Sequence, residues 1–264
     1  MESREQVPET ESERPRRRLG RSIFILPSLF TVGNIFCGYY AIIATMRGSF
    51  DRAAAAIGVA IILDSLDGKI ARLTNSTSLF GLQLDSLADV ISFGIAPSIL
   101  AFFWGLQNVN HRLGWTAAFT FTICGAMRLA RFNVQAGSLK HFVGMPIPAA
   151  GGAIAAIVYF YGEPISNPIY ASVFVAAICL LAFLMISTIK YNSLKNLTLG
   201  RRSHLTILVI ALLVALIYSY PDWTLLCLAL GYVISGPAVR LYHFMRHRKR
   251  TSDKLPLHDP LENH

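Results

Sequence analysis

The sequence predicts an all-α membrane protein, a bundle of about eight transmembrane helices with both termini on the cytoplasmic side. Three observations carry that expectation. Hydrophobic residues make up 53% of the 264 positions and charged residues only 15%, with a mean hydropathy of +0.48. That is too little charge to coat a soluble globule of this size. The apolar residues come in blocks about 20 long, the length that crosses roughly 30 Å of hydrocarbon. The Lys and Arg residues gather at the chain ends and in alternate loops, the asymmetry that orients spans in a bilayer.

In order, the blocks cover residues 23–46, 53–72, 81–106, 113–134, 147–162, 168–189, 203–220 and 222–243. The second is the least apolar, yet its spacing from its neighbours leaves room for no other arrangement. With eight crossings and a cytoplasmic N-terminus, 21 of the 24 Lys and Arg residues fall on the inside, leaving Arg47, Arg52 and Arg112 outside. An odd number of spans would spoil that bias. The chain accordingly divides into an acidic then basic tail (1–22), one membrane domain (23–243) and a basic, polar tail (244–264). The stretch Arg16 to Ile25 has the composition of a short amphipathic surface helix or a plain basic anchor. The first block is long enough to remain as a span rather than act as a cleavable signal.

The net charge of +9 does not point to nucleic acid, because the positive residues sit where topology and anionic headgroups require them. Cys37, Cys124, Cys179 and Cys227 lie in four different apolar blocks, with neither zinc-ligand nor redox spacing, and read as packing residues.

Chemistry enters with the acids. Between Arg52 and Gly162 the only acidic residues are Asp64, Asp67, Asp85 and Asp89, all in the second and third spans. A carboxylate at membrane depth costs a few kcal/mol and needs a partner or a task. Asp64 and Asp67 are three apart and Asp85 and Asp89 four apart, so each pair shares a helix face. Both pairs lie nearly equidistant from a turn centred on Ser76 and Thr77. An antiparallel hairpin would therefore set all four at one depth near the cytoplasmic side. Clustered anions in a low dielectric require protons or cations. An oxygen-only set suits Mg²⁺ or Mn²⁺, and paired cations are a common device for holding phosphates.

The residues between the acids suit a phosphate ligand. Gly68 leaves room beside the carboxylates. Arg72, on the same face, offers a planar donor fork. Gly81 opens the next helix, whose amides and dipole favour an anion. Singly, each is equally a packing glycine, a snorkelling arginine or a helix start; their combination favours the ligand.

The run D-S-L-D-G-K-I-A-R, eight residues, then G-L-Q-L-D-S-L-A-D resembles the signature D-x2-D-G-x2-A-R-x8-G-x3-D-x3-D of the CDP-alcohol phosphatidyltransferases at all eight fixed positions. The resemblance implies two divalent cations held by Asp64, Asp67 and Asp85, with Asp89 completing the metal site and serving as general base. It implies that Gly68, Ala71, Arg72, Ser78 and Gly81 hold CDP-diacylglycerol. Homodimerisation is a further implication.

Asp85 to Pro97, Pro27 to Gly38, Arg128 to Asn133 and Gly144 to Gly151 resemble the phosphatidylserine synthase branch, so the expected acceptor is L-serine. Arg128 and Arg131, three apart at the end of the fourth span, are candidates to clamp its carboxylate or to anchor topology. Asn34 and Asn133 are candidate donors, to CDP-diacylglycerol and to serine respectively, or make helix–helix hydrogen bonds. Two alternatives stand beside this reading. One is the same chemistry with glycerol 3-phosphate, inositol phosphate or choline; the other is a cation transporter with an Asp-lined site.

Overall fold

A computed structural model describes residues 25–73, 78–135, 144–189, 191 and 203–252, and among them there is helix and no strand. The elements are α1 (Ile25–Met46), α2 (Phe50–Leu73), α3 (Leu79–Asp89), a π-turn (Val90–Ile95), α4 (Ala96–Trp104), a short 3₁₀ turn (Leu106–Asn108), α5 (His111–Gln135), α6 (Ile147–Tyr161), α7 (Pro168–Ile186), α8 (Ser203–Ser219) and α9 (Pro221–Ser252). Four helical stretches are long and apolar enough to cross a membrane: Ser28–Met46, Leu79–Trp104, Pro168–Ile186 and Pro221–Arg240. The chain is an integral membrane protein. The surface stretch at 16–24 and the turn at Ser76 and Thr77 lie outside the described residues. The last helix continues to Ser252, beyond the expected span end at 243.

Small residues build the core. Ala41 and Ala44 of α1 and Ala53, Ala54, Ile57 and Ala60 of α2 are buried, and these two helices form the most extensive pairing in the bundle. Without a hydrophobic force between helices in lipid, close backbone approach through small side chains is what holds them. Gly38 extends the same device to the third span, since a Cβ there would lie 2.8 Å from Ser92 Cα.

The third span is not one uninterrupted α-helix. Pro97 has no N–H for the carbonyl of Phe93 and its ring crowds that carbonyl. The six-residue π-turn just upstream, ending at Ile95, accommodates the mismatch. Gly151 of α6 then packs directly on the Phe93 carbonyl, where a Cβ would sit 2.8 Å from the oxygen.

The hairpin expected from the sequence is open. Both α2 and α3 lean on α1, and α2 packs closely on α4 and the π-turn, but among the described residues α2 and α3 make almost no close backbone approach to each other. The two helices thus converge toward α4 and diverge toward the 73–79 end. The gap between them is spanned by side chains.

Candidate active site

Those side chains are the acids. One carboxylate oxygen from each of Asp64, Asp85 and Asp89 lies within 4.8 Å of the other two, and the Asp64 and Asp89 carboxyl groups make hydrogen-bond contact. Were all three ionised, each pair would repel by about 3–4 kcal/mol at an effective dielectric of about 20, and the Asp64–Asp89 contact needs a shared proton in the absence of a cation. Oδ1 of Asp85 and Oδ1 of Asp89 are buried with no hydrogen-bond partner, although buried polar atoms are normally paired. Orphaned, mutually repelling, oxygen-only donors around one point fit a hard divalent cation such as Mg²⁺ or Mn²⁺. The cluster contains no imidazole or thiolate.

Asp67 is placed differently from its three companions. It is buried, and its Oδ2 accepts a 2.6 Å hydrogen bond from the Thr31 hydroxyl of α1. Its charge still acts on Asp64 and Asp85. Thr31 is a site residue that reading the acids alone does not find. The available signal was a pair of polar residues, Thr31 and Asn34, one turn apart in an apolar span.

Asn34 is wholly buried on α1 with both side-chain polar atoms unpartnered. Its backbone carbonyl accepts the Ser92 hydroxyl at 2.9 Å, which ties α1 to the π-turn. Gly68 follows Asp67 on α2, half-buried. Ala71 and Arg72 fall in the last turn of α2, but their side chains lie outside the described residues. Ser78 is the N-cap of α3, and its Oγ accepts the Gly81 amide at 2.9 Å. The Gly81 amide expected to face an anion is therefore already engaged in the cap, as a serine N-cap ordinarily does.

The two arginines part company. Arg128 is mostly buried, close enough to Asp89 and to Tyr232 of α9 to interact with both electrostatically, and its Nε has no partner. Arg131, one turn on, is exposed. Asn133 donates a 2.9 Å hydrogen bond from Nδ2 to Ser86 Oγ, which makes it a brace between α5 and α3.

The family model for CDP-alcohol phosphatidyltransferases matches residues 24–186. The chain belongs to that family. Membership of that family does not favour the transporter alternative. Curated relatives agree in kind. The chain is 38% identical over 199 residues to a CDP-diacylglycerol–serine O-phosphatidyltransferase of Helicobacter pylori (strain ATCC 700392 / 26695), covering 73% of this chain and 82% of the relative. The Bacillus subtilis (strain 168) protein of the same name is 37% identical over 181 residues, covering 67% of this chain and 97% of the relative. An archaetidylserine synthase of Methanothermobacter thermautotrophicus is 37% identical over 174 residues, covering 64% and 70%. The matched stretch of this CDP-alcohol phosphatidyltransferase runs from α1 to the end of α7 and leaves out α8, α9 and Tyr191.

Proposed function

We propose that this CDP-alcohol phosphatidyltransferase moves the phosphatidyl group of CDP-diacylglycerol onto the hydroxyl of L-serine, giving phosphatidylserine and CMP. The observation that carries the reading is the convergence of Asp64, Asp85 and Asp89 beside the buried guanidinium of Arg128. It is supported by relatives named for serine as acceptor.

Asp64, Asp67, Asp85 and Asp89 would hold two divalent cations, Mg²⁺ or Mn²⁺. When bound, such cations supply charge neutralisation for a diphosphate and a leaving phosphate. The protein's own groups do the rest. Asp89 takes the proton of the serine hydroxyl as that oxygen forms a bond to the lipid-linked phosphorus. The bond from that phosphorus to the bridging oxygen breaks, and the electron pair leaves with CMP. Arg128, with donor capacity to spare, faces the serine carboxylate. Gly68, Ala71, Arg72, Ser78, Gly81 and Asn34 line the nucleotide and diphosphate. The open angle between α2 and α3 admits a lipid-linked nucleotide from the bilayer side and serine from the aqueous side.

The same reading includes eight crossings, cytoplasmic termini, an active site facing the cytoplasm in the cell membrane, and a homodimer in a lipid environment. The charge bias along the sequence supports the topology. The deciding experiment supplies the purified protein with labelled CDP-diacylglycerol, Mg²⁺ and competing alcohols. Serine-dependent CMP release with a phosphatidylserine product is expected. A lipid product from glycerol 3-phosphate, inositol phosphate or choline, and none from serine, would overturn the acceptor assignment.

A further inference from the structure

α3 carries Asp85 and Asp89, yet it stands partly free of the bundle. Among the described residues its backbone comes close to α1 and to the π-turn it runs into, and hardly to α2 or α5. Side chains complete its fastening. Past its C-terminal end the Ser92 hydroxyl, three residues after Asp89, donates to the Asn34 carbonyl of α1 at 2.9 Å. Gly38 leaves the room for that approach. From α5, Asn133 Nδ2 donates to Ser86 Oγ at 2.9 Å, and Ser86 Oγ donates in turn to the Leu82 carbonyl at 3.1 Å. The serine proton is thus committed to its own helix, so its lone pair calls for a donor, and the amide nitrogen supplies it. Ser86 directly follows Asp85 and precedes Asp89 by three residues, which puts this strut at the level of the carboxylates.

We infer that Asn133, through Ser86, is a positioning residue for the cation site: its strut from α5 fixes the rotation of α3 about its own axis, and with it the distances of Asp85 and Asp89 from Asp64. The inference rests on the proposed cation site and not on the choice of acceptor alcohol. Three features support it. The Oδ1 atoms of Asp85 and Asp89 have no hydrogen-bond partner in the protein, so no local bond aims them and the placement of the helix must. A side-chain oxygen lies about 5–6 Å from the helix axis, so a turn of about 10° carries it through about 1 Å. Metal sites hold their ligand distances to within about 0.2 Å. The tether at Ser92 and the strut at Ser86 lie on either side of Asp89 along the chain, and two fastening points stop a rotation that one would leave as a pivot. Asn133 thereby acts on the acids and not on the acceptor.

The test is Mn²⁺ binding to the full chain in detergent, with CDP-diacylglycerol present and serine omitted, followed by the electron paramagnetic resonance of the free ion. This reads the site without turnover. Asn133→Leu and Ser86→Ala should each weaken Mn²⁺ binding roughly three- to tenfold, the worth of one uncharged hydrogen bond. Ser86→Thr, which keeps the hydroxyl, should stay within about twofold of wild type. The double variant should bind Mn²⁺ no worse than either single one, because both changes remove the same strut. With Mn²⁺ saturating, the serine KM of Asn133→Leu should lie within about twofold of wild type. Unchanged Mn²⁺ affinity in the single variants, additive losses in the double one, or a raised serine KM at saturating Mn²⁺ overturns the inference while the transferase reading stands. Equal weakening in Ser86→Thr and Ser86→Ala overturns it too. A wild-type chain that binds no Mn²⁺ overturns the cation site and the inference together.

Discussion

The Thr31 hydroxyl donates a 2.6 Å hydrogen bond to Oδ2 of Asp67, across 36 residues of sequence and from α1 to α2. Both groups are buried, so the bond acts where water does not compete. It fixes the one motif carboxylate that stands apart from the Asp64, Asp85 and Asp89 cluster. α1 thus sets the fourth acid's orientation although it carries none of the signature.

Removing that donor should be costly. A hydrogen bond to a charged group is worth about 1.5–3 kcal/mol, so Thr31→Val is expected to lower kcat/KM by roughly 10–100-fold. Thr31→Ser, which keeps the hydroxyl, should stay within about threefold of wild type. CMP release from purified protein checks this, and equal losses in the two variants would remove the hydrogen bond as the cause.

Asp89 and Asp64 should separate chemistry from binding. Asp89→Asn is expected to reduce turnover by roughly 10²–10⁴-fold, the range of a lost general base, while retaining CDP-diacylglycerol binding. Asp64→Ala should lose both. Equilibrium binding of labelled CDP-diacylglycerol measures the difference, and equal binding losses would count against Asp89 as base.

The orphaned oxygens of Asp85 and Asp89 make activity depend on added cation. Chelation should abolish CMP release, and Mg²⁺ or Mn²⁺ should restore it. Asp85→Asn, with one donor fewer, should shift the cation concentration for half-maximal activity upward by roughly tenfold or more, as lost ligands do. Full turnover in excess chelator would refute the metal assignment.

Two glycines should respond oppositely to the same change. At Gly38 an added Cβ would meet Ser92 Oγ at 2.5 Å and Cα at 2.8 Å, so Gly38→Ala should destabilise by about 1–3 kcal/mol through overpacking. At Gly58, inside α2, nothing lies within 4 Å of the added atom, so Gly58→Ala should stabilise by about 0.5–1 kcal/mol through the lost unfolded-state freedom of glycine. Melting temperatures of the detergent-solubilised variants report both signs.

Local pattern alone determined that the chain is helical and membrane-embedded, where most helices begin and end, and which faces of α2 and α3 bear the acids. Block length, i to i+3 and i to i+4 spacing and charge placement are properties of neighbouring residues, so they can be read before the chain folds. The eight-position signature extended that reading to a family because its glycines and acids are themselves closely spaced.

Tertiary structure decided what lies between distant segments. It withdrew Asp67 toward Thr31, enclosed Arg128 more than Arg131, occupied the Gly81 amide with Ser78 and opened the α2–α3 hairpin. It also brought Tyr191 against Gly236 and Tyr232 of α9. The reason is physical: which of several polar groups on a helix face meets a partner depends on how neighbouring helices lean. That lean is set by alanine and glycine contacts, and by proline-freed carbonyls, tens of residues away.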